Sequence, residues 1–274
     1  VSLGVVVRAP AKINLVLRVG ARRDDGYHDV VSLMARVDVG DTLALAPSST
    51  TVVRCPSIVG GDTLVTRALA ELALASGAGG GFRVAITKAL PVGAGLGGGS
   101  SDAAAALRAA NGMLARPVPE STLVAIAARI GSDVPFFLGP AAAIARGRGE
   151  ATTPVEGLPP CAVALAYPGR PLATRDVYEA YRPAGPLEEE ITIPDTLDGL
   201  AALVENDLGP VAERLEPACG QLRRALEQRG AAVTAVSGSG SAVFGLFATL
   251  ESATEAVRGL PGAAWSQAAT LLVS

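Results

Sequence analysis

The sequence predicts an α+β protein built as two domains, and three observations predict it. The first fifty residues are strand-like almost throughout. Beyond them, helical and strand-like periods mix without the regular βαβ spacing of a doubly wound parallel sheet. Composition then shifts at TPVEGLPP (153–160), which puts a boundary near Pro154 and divides the chain into residues 1–153 and 154–274. With 274 residues, 49% of them hydrophobic, there is enough apolar surface for one large core or two modest ones.

In chain order, the apolar runs at 5–7 and 13–19 read as strands, RRDDGY (22–27) as a polar turn, and 30–37 and 42–45 as strands meeting at Gly40-Asp41. Residues 62–74 carry helical spacing that stops at Ser76-Gly77, and 82–86 is a strand. Helices are predicted at 101–111, with Gly112 as the stop, and at 119–130, ending on Gly131. Short apolar pieces follow at 134–138 and 141–145. In the second half, 162–166 reads as a strand and 181–194, acidic and proline-bearing, as an exposed connection. Helices at 201–207 and 211–230 are broken by Pro210 and Pro217. Strands at 233–236 and 243–247 flank SGSGSA, and a helix at 251–259 precedes a last strand at 268–273. There is no internal repeat.

Composition excludes several functions. Net charge is −3, so no broad cationic face exists for nucleic acid or anionic lipid. Three scattered cysteines and one histidine offer no zinc spacing; Cys55, Cys161 and Cys219 read as buried hydrophobes in a reducing compartment. No stretch reaches ~18 uninterrupted apolar residues, and no signal-peptide pattern opens the chain, so a soluble, cytoplasmic protein is expected. Oligomeric state, monomer or homodimer, is not written in the chain.

The most informative segment is KALPVGAGLGGGSSDAAAAL (88–107). Five glycines fall within the seven residues 93–99, directly before a helix-forming block. Glycines let backbone N–H groups approach phosphate oxygens, and the following helix N-terminus adds unpaired donors and a favourable dipole. Ser100 or Ser101 can cap that helix and offer a hydroxyl. A plain surface turn needs one or two glycines; five cost backbone entropy on ordering. No lysine follows the last glycine, so this is not a Walker loop, and the GxGxxG spacing of Gly93, Gly95 and Gly98 is weak alone. A second run, 237–241, is by itself a hairpin turn or a second glycine loop closing over the same ligand.

The 88–107 segment closely resembles the phosphate-binding motif of the GHMP kinase superfamily. APAKINLVL (9–17) and VSGSGSAVFGLF (236–247) are similar to its other two motifs. RRDDGYHDVVSL (22–33) and RIGSDVPFFL (129–138) resemble the branch whose acceptor carries a cytidine diphosphate group. The resemblance covers nearly the whole chain and is thinner between 171 and 217. It implies an N-terminal domain like ribosomal protein S5 domain 2, a C-terminal GHMP kinase domain, and an active site between them. It also implies ATP with Mg2+ as cofactor, and transfer of the γ-phosphoryl group to an acceptor hydroxyl.

The resemblance implies the following residue roles. Asp133 is the base; the bland alternative is a helix cap or turn-forming aspartate. Lys12 assists it; the bland alternative is a lysine whose stem lies on the core. Lys88, Pro91, Gly93, Ala94, Gly95, Leu96, Gly97, Gly98, Gly99, Ser100 and Ser101 bind nucleotide. Asn14, Tyr27, His28, Asp133, Thr174, Tyr178, Gly238 and Gly240 bind the acceptor, with Tyr27, His28 and Tyr178 around the cytosine. Protein ligands of magnesium are not assigned. Asp102 stands where the family has Asn or Asp; it would repel phosphate if it faced inward, so it is expected to point away from ATP. Two other functions compete: a kinase of the same superfamily acting on mevalonate, a homoserine-like acceptor or a sugar, and a nucleotide-binding module without transfer activity.

Overall fold

The computed structural model describes residues 4–58, 63–183 and 185–273. Its strands are β1 (Val5–Arg22), β2 (His28–Ser48), β3 (Val52–Arg54), β4 (Gly81–Thr87), β5 (Ala142–Arg146), β6 (Ala151–Pro154), β7 (Ala162–Tyr167), β8 (Glu205–Asn206), β9 (Val233–Val236), β10 (Val243–Phe247) and β11 (Trp265–Thr270). Its helices are α1 (Thr63–Ser76), α2 (Gly98–Met113), α3 (Glu120–Ile130), α4 (Val134–Leu138), α5 (Thr174–Ala180), α6 (Leu197–Leu203), α7 (Gly209–Leu215), α8 (Ala218–Gln228) and α9 (Leu250–Val257). The expected helix start at Asp62 lies outside the described residues.

Two expected pairs of short strands are single long strands. β1 runs through 8–12 and β2 runs through Gly40-Asp41. The reason is close approach. A Cβ on Gly40 would lie inside van der Waals contact of the Ala9 carbonyl oxygen and of Pro10 Cα, so glycine there lets the backbones nearly touch instead of turning the chain.

The chain forms two compact units that are not consecutive stretches. The first takes the described part of Val1–Ala11, Gly40–Leu90 and Gly97–Gly139; the second takes Lys12–Val39, Pro91–Leu96 and the described part of Pro140–Ser274. The chain therefore passes between units within β1, within β2 and on both sides of 91–96, and not at one boundary near Pro154.

In the first unit β4 pairs antiparallel with the second half of β2, Thr42 against Thr87, and parallel with β3. Helix α2 packs against α1 and α4, and α1 against α3. α1 buries Val65, Ala68, Leu69 and Leu72, a stripe at helical spacing.

In the second unit an antiparallel sheet runs β11-β7-β10-β9. β7 is buried along its whole length, and α8 and α9 pack on this sheet. Its core gathers Ala162, Ala164 and Ala166 of β7 with Leu222 and Leu226 of α8 and Ala253 and Ala256 of α9. The first half of β2 pairs with β5, which pairs with β6, and β8 lies parallel to β1 with Leu17 opposite Asn206. Pro217 breaks the 211–230 stretch as expected, as the N-cap of α8; Pro210 instead lies inside the first turn of α7, which starts at Gly209, and both positions need no donated N–H.

The acidic stretch near 190 is more than a solvated connection. Arg18 Nη1 donates to the carbonyls of Glu188 (3.2 Å) and Glu190 (2.7 Å), and Arg146 Nη2 donates to that of Glu189 (3.3 Å). The segment is tied down by its backbone, which charge composition does not reveal.

All three cysteines are buried thiols outside any disulfide. Burial pushes the Cys161 thiol up to about 11. Burial, then Glu216 and Glu213, push Cys219 up to about 12. Thiolate, the reactive form, is then scarce near neutrality. A disulfide reagent at pH 8 is expected to spare the native protein and to titrate three thiols after denaturation; a thiol that reacts at once in the native state contradicts this.

Candidate functional site

The candidate residues fall in both units. In the first unit, helix α2 begins earlier than expected, at Gly98, with Gly97 as its N-cap at φ 71°. Ser100 and Ser101 therefore lie inside the first turn, and neither caps it. Gly97 has no side chain to give, so the open N–H groups of the first turn are left for an external acceptor, where the helix dipole favours an anion. Gly98 and Gly99 leave that backbone bare. Ser101 Oγ is buried and has no hydrogen-bond partner among the described residues. A buried hydroxyl is rarely left so without a ligand or water to meet it.

Lys88 sits differently from expectation. Its ammonium is buried and contacts Asp41 Oδ2 at 2.5 Å and Asp102 Oδ2 at 2.8 Å. Burial alone would lower its pKa; the two carboxylates, Asp102 first, outweigh that and raise it. Asp102 is turned into this cluster and fully buried. Asp41 Oδ1 accepts from the N–H groups of Ala89 (2.7 Å) and Leu90 (2.9 Å).

Asp133 is the N-cap residue of α4, half-buried, yet its side chain makes no capping hydrogen bond. It is a cap by position, without a capping bond from its side chain. Pro135 and the wholly buried VPFFL turn fix the backbone that carries the carboxylate.

In the second unit Lys12 is 4% exposed on β1. Lys12 and Asn14, two apart on a strand, share a face, and Lys12 Nζ donates to Asn14 Oδ1 at 2.5 Å. Asn14 Nδ2 donates to Ser32 Oγ at 2.8 Å, which donates to the Val16 carbonyl at 2.7 Å. The lysine is therefore no snorkelling surface residue; it ends a buried relay.

The second glycine run reaches this pair. A Cβ on Gly238 would stand 3.2 Å from Asn14 Oδ1 and 3.4 Å from Lys12 Nζ. The two glycine runs also touch each other, so 237–241 is not a lone hairpin turn. Ser237 Oγ donates to the Gly95 carbonyl at 3.1 Å, and the Ala242 N–H donates to that of Ala94 at 2.9 Å. The Lys12 N–H donates to the carbonyl of buried Leu96 at 3.0 Å. Gly93 faces Pro171, with a Cβ there 3.1 Å from the proline ring, and Pro91 opens the segment half-buried. Gly240 packs on Val236 and Leu172, and Thr174 Oγ1 lies 3.0 Å from Ser239 Oγ.

His28 is held at one ring nitrogen. Nδ1 lies 2.8 Å from the Gly20 carbonyl, which can only accept, so Nδ1 is the donor there and Nε2 is left for another partner. Tyr178 and Tyr181 pack on it with ring centroids at 5.5 and 6.1 Å. The Tyr181 hydroxyl donates to the Val19 carbonyl at 2.8 Å, and its pKa is pushed up to about 12 by burial and by Asp207. Tyr27 is 55% exposed, with the Arg148 guanidinium 5.1 Å from its ring centre.

Several residues that build this arrangement escaped the sequence. Asn206 Nδ2 donates to the carbonyls of Val236 (2.7 Å) and Gly238 (2.8 Å), and its Oδ1 accepts from the Leu208 N–H (2.9 Å). The sequence places it inside a helix at 201–207; α6 instead ends at Leu203 and Asn206 stands on β8. Ser32 looked like any strand serine, and Asp41 like half of a Gly-Asp turn. The cavity of about 200 Å³ bounded by Arg18, Val19, Tyr181, Leu187, Glu205 and Asp207 had no signal at all.

Among the described residues, no helix is long and apolar enough to cross a membrane. Two family models match the chain: the GHMP kinases N terminal domain over residues 63–139 and the GHMP kinases C terminal over residues 193–267. A 4-diphosphocytidyl-2-C-methyl-D-erythritol kinase from Geobacter metallireducens is 38% identical over 93% of this chain and 94% of its own. A crystal structure of a 4-(cytidine 5'-diphospho)-2C-methyl-D-erythritol kinase matches with TM-score 0.84 at 38% identity, over 98% of this chain and 100% of that one. A homoserine kinase from Cytophaga hutchinsonii, TM-score 0.73 at 17% identity over 98% of this chain and 95% of its own, is similar in fold alone.

Proposed function

The chain belongs to the GHMP kinase family, among its 4-diphosphocytidyl-2-C-methyl-D-erythritol kinases, and we propose that it phosphorylates the 2-hydroxyl of that substrate with ATP, yielding the 2-phosphate and ADP in the non-mevalonate route to isoprenoid precursors. The observation that carries the reading is the near-full-length match to kinases of that name. In the transfer, the acceptor oxygen forms a bond to the γ-phosphorus, the bond from that phosphorus to the ADP oxygen breaks, and the hydroxyl proton goes to Asp133.

The chain's own groups suit this work. Asp133 has a carboxylate that its helix does not use as a cap. Lys12 presents a buried cation aligned by Asn14, suited to holding the acceptor oxygen. The open turn of α2 and Ser101 Oγ suit phosphate oxygens. Magnesium fits the same place: Ser101 Oγ is a hydroxyl in need of a partner, and phosphate oxygens and water would complete the shell. When bound, the metal neutralises the phosphates and polarises the transferring group.

At the handle, His28, with Nδ1 on the Gly20 carbonyl, has Nε2 left for a polar edge such as that of cytosine, and the exposed Tyr27 ring offers a stacking face. Tyr178 lies against His28 to complete the aromatic wall, with Thr174 beside the 237–241 loop.

A coupled ADP-release assay tests the reading, run with 4-diphosphocytidyl-2-C-methyl-D-erythritol and, separately, with mevalonate and homoserine. Turnover with the first acceptor alone is expected. Turnover with either of the others instead overturns the substrate assignment, and silence with all three in protein that binds ATP favours a non-catalytic module.

A further inference from the structure

The Asp41–Lys88–Asp102 cluster is built entirely within the first unit and joins the two sides of the glycine segment. Lys88 precedes that segment. Asp102 follows it, in α2, and Asp41 stands on β2. Asp41 also grips the N–H groups of Ala89 and Leu90, the last residues before the segment. On the far side, a Cβ on Gly98, the first residue of α2, would meet Asp41 Oδ2, Lys88 Nζ and Leu90 Cδ1, each at 3.3 Å. One cluster thus bears on both feet of the loop. Side-chain exposures of 6% for the lysine and 0% for each aspartate leave no room for water to screen it.

The cluster holds two carboxylates and one ammonium, so it carries one net negative charge at the base of a loop suited to anions. A buried ion pair is poor evidence for stability as such, because desolvation offsets most of the attraction. Position and charge are what it supplies.

We propose that Lys88 is a positioning residue, acting through Asp41 and Asp102: it draws the feet of the glycine loop together and cancels one of two buried negative charges that would otherwise repel the nucleotide phosphates. This rests on the loop binding ATP, and it differs from a direct contact between Lys88 and the nucleotide.

The test is calorimetric binding of Mg–ATP to the wild-type chain, K88M, D102N and the double variant K88M/D102N, with thermal unfolding measured alongside. K88M leaves two uncompensated carboxylates and is expected to weaken binding about tenfold or more. D102N removes one negative charge and is expected to bind at least as tightly as wild type. The double variant lacks the lysine but restores the original net charge, so its affinity should return to within about threefold of wild type.

Weak binding by the double variant overturns the proposal in favour of direct contact. K88M affinity equal to wild type, with only the unfolding temperature lowered, overturns it in favour of a purely structural pair. Should K88M fail to fold, the double variant decides alone, since it too has no Lys88. A wild-type chain that binds no ATP overturns the kinase reading itself.

Discussion

Gly95→Ala is expected to cost about a hundredfold in turnover while leaving the chain folded. Two effects combine. Gly95 has φ 84°, a conformation that costs a residue with a Cβ roughly 1–2 kcal/mol. Its Cβ would also overlap the Ser237 carbonyl oxygen and come within 3.0 Å of that of Gly240. Both neighbours are backbone, held by Asn206 through Val236 and Gly238 and by the Ser237–Gly95 bond, so neither can step aside as a side-chain end would. The 91–96 segment must shift, and a displacement of about 1 Å at a positioned site is worth roughly a hundredfold in rate. Gly77→Ala is the control. Gly77 has φ 62° but nothing within 4 Å of a Cβ, so it bears the conformational cost alone. Unfolding temperature should fall in both variants, and ADP release should collapse only in Gly95→Ala. Equal activity in the two variants would show that the contact between the glycine runs is dispensable.

Asp133→Asn is expected to lower turnover by about 10²–10⁴-fold, the usual contribution of a positioned general base. Asparagine keeps the shape and removes the basicity. Because the aspartate side chain accepts no capping hydrogen bond at α4, the exchange removes no cap. ATP affinity should hold, since the proton acceptor belongs to the acceptor hydroxyl. The pairing of intact binding with lost turnover separates a kinase from a nucleotide-binding module. A variant that keeps wild-type turnover would remove Asp133 from the mechanism.

Much of the secondary structure was legible because its signal is local. α1, α3 and α8 announce themselves through apolar residues at helical spacing and through Gly77, Gly131 and Pro217 at their ends. Legibility failed where glycine had two meanings. Gly40 was read as a turn and is a point of close approach; Gly98 and Gly99 were read as loop and begin α2. A glycine codon carries no record of whether freedom of φ or absence of a Cβ is being used. α5 was missed, and β8 was read as the end of a helix at 201–207, because a seven-residue helix and a two-residue strand hold too few positions to show a period.

By itself the sequence determined the order of most helices and strands, the glycine segment at the mouth of a helix, and the membership of the chain in a kinase family. These depend on residues close together in the chain, where spacing alone sets which faces are apolar and where N–H groups stay open. The tertiary structure alone decided the partners: Lys88 between Asp41 and Asp102, 47 and 14 positions away; Ser237 on Gly95 across 142 positions; His28 held by Gly20; and Asn206 clasping the Gly238 turn. A buried hydrogen-bonding group takes whatever partner the packed backbone brings within about 3 Å, and nothing in the local pattern of either segment records which one that is.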